Sequence, residues 1–174
     1  LLTSTVLAVS VIKLSRKRVL VQELYCIITL ARVDVLCLDK TGTITDGHMN
    51  VDNIVPLKNN DTNDICEIMN VVTSCINDKN ETFIALKNKF CKKSRIKADR
   101  VVPFSSDRKW SGVYLKDKGS YIVGSPEFIL KDNINIIKND LDKYTSNNRV
   151  LLLAHSKNDF LDDLSLPNDI EVLS

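Results

Sequence analysis

Asp39-Lys40-Thr41-Gly42-Thr43 puts a carboxylate, an ammonium and two hydroxyls around one glycine in five consecutive positions. Val33-Asp34-Val35-Leu36-Cys37-Leu38 leads into it, with the length and β-branched content of a buried parallel strand. A strand ending in an aspartate, followed at once by small hydroxyl residues and glycine, suits phosphoryl transfer. The carboxylate would stand at the carboxyl end of its strand, where open α/β sheets place their ligands. Gly42 has no Cβ, so backbone N–H groups can close around phosphate oxygens.

A second group with chemical potential is Pro103-Phe104-Ser105-Ser106-Asp107-Arg108-Lys109-Trp110-Ser111. Phe104 is either a core residue at a strand end or an aromatic platform for a base, and Arg108 either a phosphate contact or half of a surface ion pair. Gly124-Ser125-Pro126-Glu127 reads as a strand-to-helix turn, with Ser125 as cap and Pro126 in the first turn. Arg149 opens the apolar run Val150 to Ala154.

The elements that must carry these residues follow from periodicity. Residues 18–31 are expected as a helix or irregular connector, and residues 49–57 as an extended segment. Residues 61–76 carry apolar positions at Ile65, Ile68, Met69, Val72 and Ile76, a helical stripe. Residues 82–93 repeat it with Phe83, Leu86 and Phe90, and end in Lys92 and Lys93, which suit a helix C-terminus. Strands are expected at 101–104, 112–116, 120–123 and 149–154, the second and third joined by an Asp117-Lys118-Gly119 hairpin turn. A weaker helix is expected at 135–144.

The formal net charge of +2 gives no electrostatic reason to expect a nucleic-acid or an acidic partner. Five cysteines without a CxxC pair read as reduced thiols rather than a disulfide framework, and two distant histidines offer little for zinc. The chain starts at Leu1 inside an apolar run, and is read as a piece of a longer polypeptide. Residues 1–14 hold one charge, Lys13, and are too short to span a bilayer, which takes about 20 apolar residues. Lys13, Arg16, Lys17 and Arg18 form a cationic flank of the kind found on the cytoplasmic side of a membrane segment; an amphipathic or buried helix is the other reading.

Asp39 to Thr43, with the surrounding Leu38 to Asp46, resembles the phosphorylation signature of the P-type ATPases, most closely the bacterial cation-transporting type. The resemblance implies that Asp39 attacks the γ-phosphate of ATP, that Asp39 and the Thr41 carbonyl hold Mg²⁺, and that Thr43 contacts the transferred phosphoryl group. Lys40 is either a positive charge near phosphate or a solvated loop lysine. It further implies that Phe104 stacks on adenine, Lys109 lines the pocket, Gly124 and Ser125 let nucleotide approach the backbone, and Arg149 reaches over it. Glu81 sits beside the adenine amino group or, with Thr82, caps a helix. Where many members have lysine before that glycine, this chain has Val123.

The implied fold is a haloacid-dehalogenase-like α/β domain, of which only the first strand is present, plus an α+β nucleotide-binding domain with a mostly antiparallel sheet. The expected division is residues 1–15 as the cytoplasmic end of a transmembrane helix, 16–50 as connector and start of the phosphorylation domain, 51–160 as nucleotide-binding domain, and 161–174 as a connector back. The implied partners are ATP, a transported cation and, for the parent chain, the lipid bilayer; the isolated chain is expected to be inactive. Two alternatives remain. A soluble haloacid-dehalogenase-like phosphatase would typically carry a second aspartate where this chain has Thr41, and a non-catalytic module would bind nucleotide through residues 51–160.

Overall fold

A computed structural model describes residues 2–145, 148–161 and 164–174. It divides into two compact units, residues 1–46 and 47–174.

The first unit holds α1 (Leu2–Arg16), α2 (Cys26–Leu30) and a single π-helical turn at Lys40–Ile44. Helix α1 stops in a Schellman arrangement: the Val19 N–H donates to the Leu14 carbonyl and the Arg18 N–H to that of Ser15, with Arg18 at φ +61°. No residue of α1 is buried. At 15 residues it is about 22 Å long, and no helix among the described residues is long and apolar enough to cross a membrane. The strand expected at Val33–Leu38 is not formed. These residues are exposed and enter no ladder. A parallel strand is held by neighbours on either side, and every strand among the described residues belongs to the sheet of the second unit.

The second unit is a sheet of five antiparallel strands in the order β1 (Arg100–Val102), β2 (Trp110–Leu115), β3 (Gly119–Gly124), β4 (Leu152–Ser156) and β5 (Glu171–Val172). Two helices precede it, α3 (Thr62–Cys75) and α4 (Glu81–Lys89). Between β3 and β4 run α5 (Pro126–Leu130), a 3₁₀ stretch (Lys131–Ile136) and α6 (Lys138–Tyr144).

Successive strand residues point to opposite faces, and both faces are covered. Val113, Val123 and Leu153 pack with Ile65, Met69, Val72 and Ile76 of the α3 stripe and with Phe83, Leu86 and Phe90. Trp110, Ile122, Leu152 and Ala154 pack with Ile129 and Leu130 of α5, with Ile137 and Leu141, and with Phe160. The buried Thr73 hydroxyl donates to the carbonyls of Met69 (2.7 Å) and Phe90 (3.2 Å), tying α3 to the end of α4.

Several boundaries differ from expectation for local reasons. Helix α4 ends at Lys89 and Phe90 is its C-cap, so Lys92 and Lys93 lie beyond it. Strand β4 begins at Leu152, where the ladder with Gly124 starts, leaving Arg149 ahead of the sheet. Residues 161–174, expected as a connector, supply β5, whose Val172 enters the core; Asp162 and Asp163 lie outside the described residues. The segment from residue 49 to 57 forms no regular strand, although the Leu57 N–H donates to the Leu173 carbonyl at 2.9 Å.

Candidate functional site

Asp39 has extended backbone (φ −68°, ψ 140°) and stands immediately before the π turn. The turn closes where the Thr45 N–H (3.0 Å) and hydroxyl (3.2 Å) both donate to the Lys40 carbonyl. Gly42 sits at φ +76°, a left-handed conformation that glycine adopts without a Cβ penalty, and no atom lies within 4 Å of where a Cβ would be. Asp39, Lys40 and Thr43 are exposed; the Thr41 side chain lies outside what is described. The result is a free carboxylate at the end of an extended stretch, followed by a tight, open-sided turn. Among the described residues no group of three or more His, Cys, Asp or Glu is arranged to hold a metal ion.

In the second unit, Phe104 is 39% exposed, so its ring is not a core element. The loop behind it folds on itself. The Lys109 N–H donates to the Ser105 carbonyl at 2.8 Å, and Lys109 takes φ +58° with its side chain exposed. Arg108 enters no ion pair among the described residues. Its guanidinium lies 5.5 Å from the Trp110 ring centre and donates to the Pro103 carbonyl at 3.0 Å, while its buried Nε has no partner. Trp110 in turn stacks on Phe160, with centroids 5.7 Å apart.

Gly124 and Ser125 meet this loop through backbone. The Ser125 N–H donates to the Lys109 carbonyl at 2.9 Å. A Cβ on Gly124 would fall 2.4 Å from the Trp110 Cβ and 2.5 Å from the Lys109 oxygen, so close approach of β2 already requires glycine here. The Ser125 hydroxyl donates to the Glu127 carboxylate rather than capping α5.

Arg149 is placed differently. Its guanidinium donates to the Thr82 hydroxyl at 2.8 Å, linking the start of α4 to the approach to β4. Both line a cavity of about 400 Å³ whose walls include His48, Met49, Val123 and Tyr144. Phe104, Arg108, Lys109, Gly124, Ser125 and Glu81 are not among its walls. Glu81 is the exposed first residue of α4, and the capping role considered for Glu81 and Thr82 belongs to Asn80, whose side-chain oxygen accepts the Phe83 N–H at 2.8 Å. No local pattern pairs Thr82 with Arg149, which lie far apart along the chain; the signal at Thr82 itself is a hydroxyl at a helix start.

No family model matches the chain, and no solved structure matches it. Among curated proteins, the probable cation-transporting ATPase exp7 of Streptococcus pneumoniae is 41% identical over 179 aligned positions, covering 100% of this chain and 22% of the relative. The calcium-transporting ATPase CtpE of Mycobacterium bovis is 33% identical over 156 positions, covering 88% of this chain and 19% of its own. CtpE of Mycolicibacterium smegmatis is 33% identical over 157 positions, with 90% and 19% covered. The chain is a homologue of the cation-transporting P-type ATPases and spans about one fifth of their length.

Proposed function

We propose that this chain is the aspartate-phosphorylation and nucleotide-binding segment of an ATP-driven cation transporter of the membrane. The observation that carries the reading is Asp39-Lys40-Thr41-Gly42-Thr43, seated on an exposed turn in a chain alignable end to end with a cation-transporting ATPase. In this reading an Asp39 carboxylate oxygen attacks the γ-phosphorus of ATP in line. The bond to the bridging oxygen breaks, ADP leaves, and an aspartyl phosphate forms.

A carboxylate is a weak nucleophile that repels a polyanion, so the surrounding residues must orient both groups. Thr43 and the amides around Gly42 are suited to hold phosphoryl oxygens, and the Lys40 ammonium adds positive charge near them. The Asp39 carboxylate and the Thr41 carbonyl are hard oxygen donors of the kind Mg²⁺ takes, and the ion when bound offsets phosphate charge. The remainder of a haloacid-dehalogenase-like sheet around Val33–Leu38 belongs to this reading.

For the nucleotide, the exposed Phe104 face suits adenine, and the exposed Lys109 and Arg149 suit phosphates. The cavity behind Arg149 and Thr82 favours a second reading, in which residues 47–174 bind nucleotide without catalysis.

The test uses the full-length transporter with γ-labelled ATP and Mg²⁺. The wild type is expected to incorporate label as an acid-stable, hydroxylamine-sensitive acyl phosphate, and Asp39→Asn to incorporate none. Equal labelling of the Asn variant overturns the phosphorylation reading and leaves nucleotide binding alone.

A further inference from the structure

The near-neutral total charge hides a sharp local imbalance. Between Glu81 and Asp99 there is no acidic residue, while Lys87, Lys89, Lys92, Lys93, Arg95 and Lys97 are all cationic. Residues 51–81 lean the other way, with Asp52, Asp61, Asp64, Glu67, Asp78 and Glu81 against Lys58 and Lys79. None of the ion pairs among the described residues uses a cation of the 87–97 stretch.

Nor is the stretch a loose tail. After α4 it is strapped along α3: the Lys92 N–H donates to the Asn70 side chain (3.1 Å), the Ser94 N–H to the Ser74 hydroxyl (3.2 Å), and the Cys75 thiol to the Ile96 carbonyl (3.5 Å). Lys92, Lys93, Arg95 and Lys97 therefore stay exposed on backbone that is already held. Lys87 is steadied at 5.4 Å from the Phe83 ring centre.

We infer that this strap is a docking surface for an acidic protein segment, one rich in Asp and Glu. Held cations lose little freedom when a partner arrives, and complementary charge speeds encounter and sets orientation. The surface lacks what the other polyanions would use. Phe90, the one aromatic within the stretch, is buried, so no ring is offered for stacking on nucleic-acid bases. Ile96 is its one exposed large aliphatic residue, too little apolar surface for the inserted face of a membrane-surface element.

The test measures binding of the whole chain to a fluorescein-labelled peptide of alternating Glu and Ser, by anisotropy at low and high salt. Joint reversal of Lys92, Lys93 and Arg95 to Glu is expected to weaken binding by about tenfold or more, while reversal of the exposed Lys116, Lys118 and Lys157 leaves it within about threefold. The same three strap residues changed to Gln, which removes the charge and keeps a polar side chain, are expected to flatten the salt dependence with an unchanged circular-dichroism spectrum. Equal losses in strap and control variants, or a Gln variant that binds as the wild type does, overturn the proposal. Tighter binding to phosphatidylglycerol vesicles or to a single-stranded oligonucleotide than to the peptide also overturns it.

Discussion

Residues 33–38 (Val-Asp-Val-Leu-Cys-Leu) and residues 150–154 (Val-Leu-Leu-Leu-Ala) are both mainly apolar runs, yet they end in opposite states. Val35 is 77% exposed and no backbone ladder holds it, whereas Leu153 is 4% exposed between β3 and β5. Apolar, β-branched composition describes a residue's fit to a half-buried pleated surface, and it does not supply that surface. Leu153 has neighbouring strands on both sides and α3 and α4 across its face; Val35 has none of these among the described residues. A strand is thus a property of its neighbours as much as of its own side chains. The chemistry divides in the opposite way: the most specific five residues of the chain sit in the sparsely packed unit.

The largest expected effect tests that contrast directly. Ile122 is fully buried at the centre of the sheet. Ile122→Ala should destabilise residues 47–174 by about 2–5 kcal/mol, through lost burial and the cavity left behind. Val35→Ala, on the exposed run, should stay within about 0.5 kcal/mol. Urea unfolding followed by Trp110 fluorescence reads the first and followed by far-ultraviolet circular dichroism the second, and equal losses would end the comparison.

A smaller effect sharpens it from within the packed unit. Phe104 is an aromatic that the core does not need, so Phe104→Ala should leave the unfolding midpoint nearly unchanged. If it is the adenine platform, removing about 1–3 kcal/mol of stacking weakens ATP binding about five- to a hundred-fold. Calorimetric titration of the whole chain with ATP checks this. Unfolding of the variant would return Phe104 to the core, and unchanged binding would put adenine elsewhere.

Which features were legible in advance follows from how far their causes lie along the chain. The α3 stripe, the β2–β3 hairpin and the Ser125-Pro126 helix start depend on nearest neighbours, and each appears close to where periodicity and turn chemistry put it. The Asp39 turn was legible as residue types, and its shape follows from Gly42. Strand β5 was not, because two residues carry no period. The link between Arg149 and Thr82 is tertiary, and nothing adjacent to either residue announces it; the folding-back of Arg108 onto Trp110 is local but depends on the left-handed turn at Lys109.

The smallest expected effect concerns the turn after β4. The Ser156 hydroxyl donates to the Asp169 carboxylate, which also receives the Lys157 N–H at 3.1 Å. The Ser156 hydroxyl first, then Asn158, hold the Asp169 carboxyl below its usual range. A carboxyl depressed in the folded state contributes stability above its unfolded pKa and loses it as pH falls through the folded value. Asp169→Asn should therefore lower the thermal midpoint slightly at neutral pH, with the gap to wild type closing in acid below the ordinary carboxylate range. A gap independent of pH would assign the effect to packing.

The sheet tapers. Its inner strands run to five or six residues, while β1 has three and β5 two. Each rim therefore offers only a short row of unpaired backbone groups, too few to template a foreign strand, which is how natural sheets resist edge-to-edge aggregation. Lengthening β5 with alternating apolar residues would be the simplest way to turn this domain into a self-associating one.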